Sequence, residues 1–63
     1  MEKDKIHIME QNGRTNIFYV DDKEEVKKLL FLGYIHKKDI YLSSRCFDLF
    51  SNDEIRELID FVT

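Results

Sequence analysis

Asn12-Gly13 lies between KIHIME and TNIFYV, two runs rich in alternating apolar, β-branched and aromatic residues. Asn and Gly supply the two positive-φ residues that a type I′ turn demands. Between alternating runs this dipeptide is the strongest short hairpin signal. It constrains the N-terminal third to an antiparallel hairpin, and a two-residue loop sets the register. Ile6 then faces Tyr19, His7 faces Phe18 and Ile8 faces Ile17. Side chains alternate along a strand. Ile6, Ile8, Ile17 and Tyr19 therefore share one face, and His7, Met9, Phe18 and Val20 the other. The first set is more uniformly apolar and is expected to cover the core.

The next segment carries helix signals. Asp22 and Glu25 have capping-box spacing, and acidic residues suit the positive end of a helix dipole. Val26, Leu29 and Leu30 form a stripe at i, i+3, i+4. Glu24 and Lys28 are one turn apart in the favourable order. Gly33 fits the left-handed position that ends a helix, with Tyr34 folding back on Leu29. Ile40 to Leu42 reads as a short strand. Ser43 to Phe50 is open between strand, turn and short helix. Ser51 with Glu54 is a second capping box, and Ile55, Leu58, Ile59 and Val62 make a helical stripe behind it. The expected fold is α+β in the order β-β-α-β-α: one domain over residues 1–63, with a two- or three-stranded sheet covered by two helices.

A chain of 63 residues buries a small core and needs a further stabilising device. Cys46 is the only cysteine, so no intrachain disulfide forms, and it suits a reducing compartment. His7, His36 and one Cys do not make a four-ligand zinc site. No metal and no cofactor is expected. Tight packing, a homo-oligomer or a bound partner remains. Hydrophobic residues at 43% are too many for a disordered chain. A net charge of −3 weighs against a dedicated nucleic-acid binder. Uncharged runs are too short to span a bilayer and MEKDK lacks an apolar signal core, so the expectation is a cytoplasmic protein with no membrane partner. Enrichment in Lys, Ile, Asn, Phe and Tyr, with no Ala, reflects AT-rich codons. That composition fits a low-GC bacterium, a phage or a mobile element.

No catalytic constellation is legible, so an enzyme is not expected. Cys46 lacks a base nearby in the chain and reads as a small buried hydrophobe. Asp53, Glu57 and Asp60 follow helical spacing opposite the apolar stripe and read as a solvated acidic face able to meet a basic partner. Phe31 falls roughly opposite Leu29 on the expected helix. A large aromatic off the core stripe is either covered by another element or offered to a partner, and Tyr34 lies beside it. Lys27, Lys28, Lys37 and Lys38, with His36, form the basic cluster.

LLFLGYIHKKDIYLS resembles the end of the recognition helix and the wing hairpin of winged-helix DNA-binding proteins. The resemblance implies Lys27 and Lys28 in or near a groove and Lys37 and Lys38 on phosphates. Upstream, the Asn-Gly hairpin stands where that family has two helices. IYLSSRCFDLFSNDEIRELI resembles the run before the zinc helix of membrane-associated metallopeptidases. The His-Glu-x-x-His on which their chemistry depends is absent, and no peptidase activity is implied.

The functional expectation is a small non-enzymatic regulator or inhibitor that binds another protein and occludes it through Phe31 and Tyr34. The alternative is a nucleic-acid-binding regulator using a wing-like basic hairpin around residues 33–42.

Overall fold

The computed structural model covers Met1–Thr63. After a single 3-10 turn at Lys3–Lys5, the chain forms the expected hairpin from β1 (Ile6–Gln11) and β2 (Arg14–Asp21). Asn12 and Gly13 adopt φ of 55° and 75°. Ile6 pairs with Tyr19, His7 with Phe18 and Ile8 with Ile17, the register set by the two-residue loop.

The segment expected to be a helix is not one. Residues 22–27 make bends, and Lys28–His36 is a third strand, β3, antiparallel to β2. Local side chains divert the carboxylates that a helix start would use. Asp22 Oδ1 accepts from the Lys5 ammonium at 3.0 Å, and Asp21 Oδ1 accepts from the Lys23 backbone N–H at 3.2 Å. The second contact is a local aspartate turn that competes with helix. The Glu24–Lys28 pair forms at 3.5 Å without a helix beneath it. Val26 and Leu29, read as core stripe, are exposed.

A bulge interrupts β3. Ile17 pairs with Gly33 but Phe18 pairs with Phe31, which leaves Leu32 as an extra residue. The bulge resets the alternation: Leu30, Leu32 and Ile35 serve the core side, while Leu29, Phe31 and Tyr34 serve the other. Gly33 is therefore no helix stop. It lies mid-strand at φ 157°, and a β-carbon there would overlap the backbone of Tyr41. Tyr34 does not fold back on Leu29 but faces Tyr41 on β4 (Asp39–Leu42). β3 and β4 are joined by Lys37-Lys38, with Lys37 at φ 58°. The local hairpin of the winged-helix resemblance exists, but a strand precedes it in place of a recognition helix.

The result is a four-stranded antiparallel meander, β1-β2-β3-β4, followed by two helices. The α+β class and N-terminal hairpin stand; the order is β-β-β-β-α-α, with one more strand than the expected maximum. The open segment after β4 becomes α1 (Arg45–Leu49). The Leu32 carbonyl, at the bulge, accepts from Ser43 N–H at 2.8 Å and from the Cys46 thiol at 3.1 Å, docking α1 on the sheet. α2 (Asn52–Val62) starts at the expected capping box: Ser51 Oγ accepts from Glu54 N–H, and Glu54 Oε1 accepts from Ser51 N–H. Ile55 and Leu58 pack with Ile17, Leu32 and Cys46 as the buried core, and Ile59 and Val62 pack around it. The face assigned to the core in the hairpin is the covered one at Ile6, Ile17 and Tyr19, whereas Ile8, on the edge strand, stays about half exposed.

Candidate functional site

Both helices pack on one side of the sheet, and the opposite side has no second layer. The register assembles this open face row by row. His7, Phe18 and Phe31 form one row, Met9, Asn16, Tyr34 and Tyr41 the next, and Gln11, Arg14, His36 and Asp39 the third. Val20 and Leu29 close one end.

The aromatics lock to one another across strands. Phe18 and Phe31 meet edge to face at 5.7 Å. Tyr34 and Tyr41 stack at 4.9 Å with planes 23° apart. The Arg14 guanidinium sits 4.4 Å from the centre of the Tyr34 ring. Such cross-strand pairs hold their side chains with little remaining rotamer freedom. The outer surface is nonetheless accessible: Phe31 is 38% exposed, Tyr41 47% and Met9 50%. Asp39 is the only acid in these rows, and no lysine is among them.

Phe31 and Tyr34, singled out from the sequence, are brought onto this face together. They arrive there on a strand, and Phe31 is displayed because β3 alternates. The four lysines do not form one cluster. Lys27 and Lys28 lie at the start of β3 and Lys37 and Lys38 beyond its end, roughly 25–30 Å apart at the rise of a strand. Asp53, Glu57 and Asp60 are exposed on α2, on the helical side of the molecule. The Met1 amino group approaches Glu54 at 3.5 Å and Glu57 at 3.9 Å. Phe50 packs edge-on against Tyr19 in the core layer, and exposed Phe47 and Phe61 sit on the helices, so none of them extends the open face.

Arg14, Phe18 and Tyr41 escaped the sequence reading as site residues. Their signal was present in part, because Phe18 already shared a face with His7 and Met9. Tyr41 required the pairing of β3 with β4. Cys46 is buried, its thiol donating to the Leu32 carbonyl, and burial pushes that thiol above its ordinary pKa. A protonated thiol held against a carbonyl is a poor nucleophile. No helix is long and apolar enough to cross a membrane.

No protein-family model, curated protein or solved structure matches this chain, so the open face is read from its own residues.

Proposed function

We propose that the chain is a protein-binding regulator that docks through the open face of its sheet and acts by covering a surface of its partner. The composition of that face carries the reading. Interface centres are enriched in Tyr, Phe, Met and Arg and depleted in Lys, Glu and Asp. The open face has Phe18, Phe31, Tyr34, Tyr41, Met9 and Arg14, no lysine and one acid. Its aromatics are already immobilised by their neighbours, which lowers the entropy lost on docking. Contiguous apolar surface of this kind on a small chain marks an interaction site. Asp53, Glu57 and Asp60, on the other side, do not touch the partner in this arrangement.

Single-stranded nucleic acid stacking on Phe31 and Tyr41 is the second reading, favoured by the rings and by Arg14. The net charge of −3 and the lack of lysine on the face weigh against it.

The test is affinity capture from lysate of the native cell, with and without nuclease, using wild type, Tyr41→Ala, Phe31→Ala and a triple Asp53→Asn/Glu57→Gln/Asp60→Asn variant. Expected is a nuclease-insensitive protein kept by wild type and the triple variant and lost by both aromatic variants. Retention by the aromatic variants sinks the reading. Nuclease-sensitive, steeply salt-dependent binding transfers the face to nucleic acid.

A further inference from the structure

The sheet has two edges, and they are guarded differently. β4 is four residues long and begins beside Lys37 and Lys38. Short strands and flanking lysines are the usual protection against edge pairing. β1 has six residues, with no proline or bulge, and pairs with β2 alone; the lysine that flanks it, Lys5, is tied back in ion pairs with Glu2 and Asp22. Ile8 and Met9 flank this edge on opposite faces, and both are about half exposed.

The hairpin turn decides which backbone groups β1 offers. A two-residue turn closes with hydrogen bonds between its flanking pair, Gln11 and Arg14. Antiparallel ladders then alternate at every second residue. His7, Met9 and Gln11 are thus turned toward β2, and Ile6, Ile8 and Glu10 face outward; the Ile6 N–H is taken by the Lys3 carbonyl, while the Ile6 C=O and both backbone groups of Ile8 and Glu10 have no partner in the chain. We infer that β1 is a pairing edge for a second copy of this chain, joined antiparallel about a two-fold axis at Ile8.

The register follows from self-complementarity. A two-fold perpendicular to the sheet keeps both helical layers on one side. It must pair outward residues with outward residues. Centring on Ile8 places Ile8 opposite its copy and Ile6 opposite Glu10, and it is the arrangement that uses all three outward residues of each strand. Centring one residue earlier brings two copies of His7 together, and one residue later leaves Ile6 unpaired. In the Ile8 register no like charges face each other, His7 lies opposite Met9, and the half-exposed Ile8 side chains cover one another. The product is a continuous eight-stranded sheet whose open faces join into one surface. This edge is distinct from the face of the proposed function, so either can fail alone.

The test combines sedimentation with amide exchange on the whole chain, from about ten micromolar to about one millimolar, a range that brackets weak self-association. Expected is a shift from 7.6 kDa toward twice that mass. The amides of Ile8 and Glu10 should gain protection with concentration, while those of His7, Met9 and Gln11, and of Ile6, which already donates to Lys3, stay constant. N-methylation of Ile8, introduced by synthesis with ligation at Cys46, should raise the dimer dissociation constant at least tenfold. Mass fixed at 7.6 kDa throughout, or a dimer in which the Ile8 and Glu10 amides exchange as in the monomer, overturns the inference. The exchange pattern of the unmodified chain decides the matter even if the N-methylated chain fails to fold.

Discussion

Gly33 lies so close to Tyr41 that a β-carbon on it would overlap the Tyr41 carbonyl oxygen. That carbonyl belongs to backbone and cannot swing aside as a side chain does. The contact holds β3 and β4 together beside the bulge at Leu32. Gly33→Ala is expected to destabilise by about 1–3 kcal/mol, through strain at an unfavourable φ and displacement of β4. Urea titration followed by circular dichroism checks it. A change below about 0.5 kcal/mol would show that β4 can move freely.

Leu58 has no accessible surface and sits with Ile17, Leu32 and Cys46 at the centre of the core. Leu58→Ala is expected to cost about 2–5 kcal/mol, from lost transfer energy and the cavity left behind. A chain of this size has roughly 3–5 kcal/mol to lose. The variant should therefore lose most of its stability in urea titration followed by near-ultraviolet dichroism, and a loss below about 1 kcal/mol would refute the assignment.

Phe31→Ala removes an edge-to-face partner of Phe18 from an exposed surface. The expected loss is about 1 kcal/mol, the scale of such aromatic pairs. Amide chemical shifts of α2 should be unchanged, because the substitution lies across the sheet from it; α1 is no such reference, since Ser43 donates to the Phe31 carbonyl and Arg45 and Asp48 line a pocket with Phe31. Large shifts in α2 would mean that Phe31 reaches the core.

Glu54 is held below its ordinary carboxylate pKa, chiefly by the Ser51 backbone N–H and then by the Ser51 hydroxyl and the terminal amine. A lowered folded pKa stabilises above the ordinary glutamate range, and the contribution is lost as pH falls through the folded value. Wild type should exceed Glu54→Gln in melting temperature at pH 7, and the gap should close below about pH 4. Melting curves across that range measure it; a constant gap would assign the effect to the amide's geometry.

Cys46 carries the opposite sign. Burial raises its thiol pKa, so the folded state keeps the proton that the unfolded chain releases. Stability from this group is complete below the ordinary thiol value and declines as pH rises through it. Labelling by a thiol reagent at pH 8 should be at least tenfold slower in the native chain than in denaturant. Equal rates would place the thiol at the surface.

The hairpin, its register, its core face, the capping box at Ser51 and the stripe of α2 were all legible because each is encoded within a few neighbouring residues. β3 was not. Val26, Leu29 and Leu30 happen to repeat at helical spacing, and the residue that breaks the strand period, Leu32, is a bulge. With alternation reset at Leu32, neither period runs cleanly through KLLFLGYIH. The deciding contacts are pairings with β2 and β4, which lie outside any local window. Phe31 and Tyr34 could thus be marked as surface aromatics, whereas their neighbours Phe18, Tyr41 and Arg14 come together only once the register is known.

The meander has a kinetic consequence. Every strand pairs with its neighbour in the chain, so the sheet closes only short loops and can zip forward from the Asn12-Gly13 turn. The helices that shield Ile17 and Leu32 come afterwards. On the ribosome, at roughly 5–20 residues per second, the strands emerge seconds before α2 does. For that interval both faces of the nascent sheet are bare. The window closes when α2, begun at the Ser51 capping box, docks on the sheet.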